Sequence, residues 1–190
     1  MQTETYLHPW RLRLAKQVID AGGLIAYPTE AVYGLGCHPL DGDAVARLLA
    51  LKHRSVKKGL ILIADRIDRL QPYLGKLPAA AMEPVLKSWP GPATWLVPAA
   101  SGVPGWLTGN RATLAVRVTD HPIAAALCRA VGSPLVSTSA NISRHPPART
   151  PLEVRIRCGR GVDLIIHGET GGLARPTPIR NALNGSLHRA

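Results

Sequence analysis

Ala26-Tyr27-Pro28-Thr29-Glu30-Ala31-Val32-Tyr33-Gly34-Leu35-Gly36-Cys37 closes an apolar strand running from Leu24 to Tyr27 and opens a turn punctuated by glycine. Pro28 biases Tyr27 toward the extended region, and Gly34 and Gly36 leave the backbone bare for the close approach of a ligand. Thr29, Glu30 and Tyr33 fall at the carboxyl end of the strand, where open α/β sheets bind ligands. A Pro-Thr-Glu turn by itself is more often only a turn, so its meaning depends on the rest of the chain.

Upstream, Trp10, Leu12, Leu14, Ala15, Val18 and Ile19 recur near helical spacing, and Gly22-Gly23 end a first helix over Pro9 to Ala21. Downstream, Asp41 or Asp43 caps a second helix carrying Val45, Leu48, Leu49 and Leu51. Leu60 to Ala64 is a brief apolar run bounded by Gly59 and Asp65, which reads as a buried strand. A helix follows over Pro78 to Lys87. Strands are expected over Ala93 to Val97 and Thr113 to Val118, with a Gly/Pro-rich loop from Ala99 to Asn110 between them. A helix over His121 to Val131 precedes a strand over Pro134 to Ser137. Thr150-Pro151-Leu152-Glu153 has the arrangement of a capping box and predicts a helix to about Arg157. Asp163 to His167 is strand-like, and Asn184-Gly185 predicts a hairpin joining Ile179-Ala182 to Ser186-His188. Strands and helices interleave irregularly, so the fold class is α/β with a twisted, mostly open mixed sheet and flanking helices. No linker divides the 190 residues, and one domain over 1–190 is expected.

An apolar fraction of 46% with 18% charged residues is ordinary for a soluble domain, and no apolar run is long enough to span a bilayer. Met1 to Ala15 carry Glu4, His8, Arg11 and Arg13 without the apolar stretch of a signal peptide, so no export is expected. Cys37, Cys128 and Cys158 form no Cys-x-x-Cys pair and fit a reducing cytoplasm. The net charge of +11 is the unusual bulk property and favours polyanionic partners or phosphate ligands. With aromatics at 4% and no phenylalanine, base stacking has little material, and RNA contact would be mainly to backbone phosphate. There is no Walker loop, no G-x-G-x-x-G fingerprint, no zinc-ligand cluster and no G-x-S-x-G elbow.

Three further stretches carry chemistry. Lys52-x-Arg54 with Lys57-Lys58 sets cations at a helix end, where they either converge on a triphosphate or simply complement the helix dipole. Leu114-Ala115-Val116-Arg117-Val118 places one arginine among buried neighbours, so Arg117 either pairs internally or faces a ligand carboxylate or phosphate. Ser137, Ser139 and Asn141 alternate at the end of a buried strand and share one face if extended geometry continues.

Together these stretches resemble the YrdC-like family of threonylcarbamoyl-AMP synthases, in its short single-domain bacterial form. The resemblance spans nearly the whole chain. It rests on Pro28-Thr29-Glu30 through Tyr33-Gly34-Leu35-Gly36, Lys52-x-Arg54 with Lys58, and Trp89-Pro90-Gly91-Pro92-x-Thr94. Ala115-Val116-Arg117-Val118 with Pro122, and Ser137-Thr138-Ser139-Ala140-Asn141-x-Ser143, complete it.

The resemblance implies a positively charged concave face and a nucleotidyltransferase joining L-threonine, bicarbonate and ATP into threonylcarbamoyl-AMP and pyrophosphate. Magnesium accompanies ATP, and no tightly bound organic cofactor is implied. The product serves threonylcarbamoyladenosine formation beside the anticodon of tRNA, through a separate transferase complex. By position, Thr29, Lys58, Arg117, Ser137 and Thr177 resemble the threonine and carbamate side of the pocket, and Lys52, Arg54, Ser139 and Asn141 the ATP side. No side chain is implied as a nucleophile, and Lys52 and Arg54 are the residues expected to aid phosphate chemistry. Ser55, Gly59 and Thr177-Pro178 depart from the family pattern. The long form's additional carboxyl-terminal domain has no counterpart, so any lid is expected from this domain or a partner. Two rival readings remain: a non-catalytic protein binding tRNA or double-stranded RNA in ribosome maturation, and a carbamoyl-adenylate module of the hydrogenase-maturation kind.

Overall fold

The structure is a computed structural model that describes residues 7–189; Glu4 and the other residues before Leu7 lie outside it. Strands β1 (Ile25–Pro28), β2 (Tyr33–Gly36), β3 (Ile61–Ala64), β4 (Thr94–Pro98), β5 (Thr113–Val118), β6 (Leu135–Ser139), β7 (Leu164–Ile165), β8 (Ile179–Asn181) and β9 (Leu187–Arg189) form one sheet. Its order is β7-β1-β2-β6-β3-β5-β4-β8-β9. Parallel pairs (β1 with β7, β3 with β5, β4 with β8) are interspersed among antiparallel ones, giving the mixed sheet that the irregular element order predicted. Helices α1 (Pro9–Asp20), α2 (Gly42–Leu51), α3 (Ala79–Lys87), α4 (Gly105–Thr108), α5 (Pro122–Val131) and α6 (Pro151–Cys158) flank it.

Side chains alternate across each strand, and the alternation divides the core in two. Ile25 and Tyr27 of β1, Ile63 of β3 and Leu135 of β6 pack with Ala15 and Ile19 of α1 and with Ile123, Leu127 and Cys128 of α5. Their sequence neighbours Leu24, Ala26, Leu62 and Val136 face the other way, toward Ala44, Val45 and Leu48 of α2. The capping box at Thr150 and Glu153 and the antiparallel hairpin of β8 and β9 are present as expected. The three cysteines are free and buried.

Three expectations change. Tyr33 to Gly36, read as a turn, is strand β2, paired on both sides with β1 and β6. The loop from Ala99 to Asn110 contains the short helix α4, and the strand expected over Asp163 to His167 contracts to two residues, Leu164 and Ile165. In β2 the glycines serve packing rather than turning: a Cβ on Gly36 would meet the Val136 carbonyl oxygen at 2.5 Å and the Tyr27 ring at 2.9 Å. Tyr27 therefore lies across a strand that has no side chain at that position. Gly36→Ala is expected to cost at least about 1–3 kcal/mol, because backbone must shift. Gly34→Ala, whose Cβ would meet only side chains at 3.2 to 3.5 Å, is expected to cost less. Thermal melting of both variants checks this ordering.

Candidate active site

Along β6, Leu135 sits beneath α5, while Ser137 and Ser139 lie on the same face farther along the strand. There the sheet face opens into a cleft of about 230 Å³. Thr29, Gly34, Arg117, Ser137, Ser139 and Thr177 line it, together with Arg54 and the apolar walls of Ile61 and Pro147. Sequence-distant motifs are thus gathered in one cavity. A larger hollow of about 590 Å³ opens beside the start of β6, around Tyr73, Pro104 and Pro134. None of the motif residues lines it, and its Arg69 is engaged by Asp65 and the Gly132 carbonyl, so the chemistry points to the smaller cleft.

Arg117 does both things its sequence context allowed. It lines the cleft, and it is paired internally, with Nη2 at 3.2 Å from Glu30 Oε2 and Nη1 donating to Thr177 Oγ1 at 2.8 Å. Thr177 also faces Thr94 Oγ1 at 3.2 Å, so the Thr-Pro departure keeps a hydroxyl in the cleft. Thr119 donates to Glu30 Oε1 at 2.5 Å, and the His121 backbone N–H donates to Thr119 Oγ1. Burial holds the His121 imidazole below its ordinary pKa. Among the described residues, buried side-chain atoms without a hydrogen-bond partner include Glu30 Oε2, Arg117 Nε and His121 Nδ1, all in this network. Buried polar atoms rarely lack partners, and three in one network mark it as a candidate functional site. Glu30 was placed by the sequence at the ligand-binding end of the strand but given no role there and no partner; the structure pairs it with Arg117. The available signal was the rule that a buried arginine requires a counter-charge.

Residues 168 to 178 run as a strap over this network. The Gly171 N–H donates to the Thr29 carbonyl and the Leu173 N–H to the Glu30 carbonyl. Tyr33 Oη both donates to the Gly168 carbonyl and accepts from its N–H. Arg149 donates to the Leu173 and Ala174 carbonyls.

Arg54 lines the cleft as expected, whereas Lys52 and Lys58 do not. Lys52 is 2% exposed and is not among the residues lining the cleft. Its ammonium donates to the Ser139 carbonyl, to the Asn141 carbonyl at 2.8 Å and to Asn141 Oδ1 at 3.1 Å. Asn141 is likewise engaged: Oδ1 accepts from Ser139 Oγ at 2.6 Å, and Nδ2 donates to the His145 carbonyl. Lys52 and Asn141 thus form the underside of the turn that presents Ser139. The physical reason is that Lys52 caps α2 facing the core, while Arg54, two residues on, reaches the cleft and donates to the Gly59 carbonyl. Lys58 is exposed and lines a neighbouring depression with Arg54, Arg111 and His188.

A family model described as "Telomere recombination", covering Sua5, YciO and YrdC proteins, matches residues 17–189. The chain belongs to the Sua5/YciO/YrdC family. It is 55% identical over 181 residues to a protein of Halorhodospira halophila named threonylcarbamoyl-AMP synthase, covering 95% of each chain. A protein of the same name from Alkalilimnicola ehrlichii is 54% identical over 193 residues, covering 100% of both. Among solved structures, P. abyssi Sua5 complexed with L-threonine superposes with a TM-score of 0.87 at 32% identity over 93% of this chain. This chain spans 52% of that longer protein.

Burial and the neighbouring Arg54 hold the Lys52 pKa at about 8, below the ordinary 10.5. Between those values the unfolded chain retains a proton that the folded chain releases, so this group's contribution makes stability rise with pH across that window. The melting temperature of the wild type is expected to gain on that of Lys52→Met as pH rises from about 8 to 10.5; a constant difference would contradict the assigned burial.

Proposed function

We propose that the protein is an L-threonylcarbamoyladenylate synthase, converting L-threonine, bicarbonate and ATP to threonylcarbamoyl-AMP and pyrophosphate. The observation that carries the reading is the convergence of Thr29, Arg117, Ser137 and Thr177 with Arg54 and Ser139 in one cleft. The relatives' names and the threonine-bound Sua5 structure support it.

The chemistry requires no protein nucleophile. The threonine amine takes up carbon dioxide derived from bicarbonate, loses a proton and becomes a carbamate. A carbamate oxygen then bonds to the α-phosphorus of ATP, the bond to the bridging oxygen breaks, and pyrophosphate leaves. The cleft contributes alignment and fixed positive charge. Arg117 receives the threonine carboxylate, the hydroxyls of Thr29, Ser137 and Thr177 surround the carbamate, and Arg54 and Ser139 face the nucleotide phosphates. Lys52 and Asn141 act on the nucleotide side by fixing the turn that carries Ser139; Lys58, expected on the threonine and carbamate side, lies instead in the neighbouring depression with Arg54. Among the described residues no three carboxylate, histidine or cysteine side chains cluster as metal ligands. Glu30, the acid beside the cleft, is turned toward Arg117 and Thr119. The described residues therefore offer no ready cage for magnesium, which would arrive on the triphosphate.

The same proposal extends to the cytoplasm as its location, to a downstream tRNA-modifying transferase complex as the consumer of the product, and to direct tRNA contact through the basic surface. No helix among the described residues is long and apolar enough to cross a membrane. Lys58 and Arg111, exposed in the depression that shares Arg54 with the cleft, are the cations for phosphate contact. RNA binding through them would weaken steeply with salt.

Pyrophosphate release is expected to require both L-threonine and bicarbonate; equal release without threonine would overturn the assignment. Arg117→Ala is expected to raise the threonine KM roughly ten- to hundred-fold, the worth of a charge-assisted hydrogen bond. The KM for ATP should change little, as steady-state assays will reveal.

A further inference from the structure

Arginine side chains have several rotatable bonds, and a guanidinium intended to meet a ligand carboxylate must be held in one orientation before the ligand arrives. Arg117 is held from two sides. Thr177, on the strap, accepts from Nη1 at 2.8 Å, and Glu30 faces Nη2 at 3.2 Å. Glu30 and Arg117 are 6% and 7% exposed at the side chain, so solvent screens their attraction little. Glu30 is fixed in turn: its other oxygen accepts from Thr119 at 2.5 Å, and its backbone carbonyl accepts from the Leu173 N–H of the strap. Gly171 packs so closely on Glu30 that a Cβ there would sit 3.0 Å from the Glu30 Cα. One residue thus ties together the guanidinium, the end of β5 and the strap that brings Thr177 to the guanidinium.

We infer that Glu30, braced by Thr119, is a positioning residue that aims Arg117 at the carboxylate of the amino-acid substrate. Glu30 does not line the cleft and touches no reacting atom; it acts through Arg117. The pair is neutral as a unit, so an incoming carboxylate meets an oriented donor array rather than an isolated buried cation. This inference rests on the threonine reading of the cleft.

The test compares wild type, Glu30→Gln, Thr119→Val, Arg117→Ala and the Glu30→Gln/Arg117→Ala double variant, all as the full chain. Pyrophosphate release gives the threonine and ATP KM values, and calorimetry gives affinities for L-threonine and for threoninol, which lacks the carboxylate. Glu30→Gln is expected to raise the threonine KM roughly tenfold and to leave the ATP KM unchanged. It should also erase most of the preference for threonine over threoninol. Thr119→Val should do the same more weakly, which keeps the test open if Glu30→Gln fails to fold. The double variant should be no worse than Arg117→Ala, because the two residues act as one unit. Equal changes in the threonine and ATP constants, retained carboxylate preference, or additive losses in the double variant would overturn the inference while leaving the synthase reading intact. Wild-type activity independent of threonine would overturn both.

Discussion

A guanidinium buried in the middle of a sheet is the constraint around which this molecule is organised. Arg117 stands on β5 between the apolar Val116 and Val118, 5% exposed, where an unpaired charge is strongly destabilising. Glu30 neutralises it, yet Glu30 belongs to the turn between β1 and β2, on the far side of β6 and β3 in the sheet order. The pair therefore fastens the two halves of the sheet across the cleft. Removing one partner would leave the other buried and uncompensated, so the interaction serves both fold and site.

The cleft exists because helices cover only part of one sheet face. α1 and α5 bury Ile25, Ile63 and Leu135, and where their cover ends the same face carries Arg117, Ser137 and Ser139. A two-residue advance along β6, from Leu135 to Ser137, marks the change from core to cleft. The floor is widened by Gly34, which contributes backbone alone, and the strap over residues 168 to 178 limits the opening. Of the two sources expected for a cover, this domain or a partner, the strap is one that the domain's own chain supplies.

Much of this was legible from residue patterns. The helices other than α4 followed from apolar spacing and caps, β3 from a brief apolar run, and the last hairpin from Asn184-Gly185. Strand β2 was not, because Gly34 and Gly36 carry the local signature of a turn; only pairing with β6 and the overlying Tyr27 ring make them strand residues. Lys52 and Arg54 read as a matched pair of cations, but helix geometry turns the first inward to backbone carbonyls and lets the second reach the cleft. Thr177 was reached by family resemblance alone, since nothing local in Pro176-Thr177-Pro178 predicts contact with a residue sixty positions earlier. Glu30 was placed at the ligand-binding end of the strand, but its pairing with Arg117 was hidden, because the partner is distant and the local setting is a sufficient explanation for a polar residue in a turn.

On this reading, the bare portion of the sheet face orients an amino acid beside a nucleotide. A crystal structure of the protein with L-threonine and a non-hydrolysable ATP analogue tests it most directly. The threonine carboxylate is expected within hydrogen-bond distance of Arg117 and the phosphates beside Arg54 and Ser139. Threonine bound away from Arg117, or the two ligands in separate cavities, would contradict it.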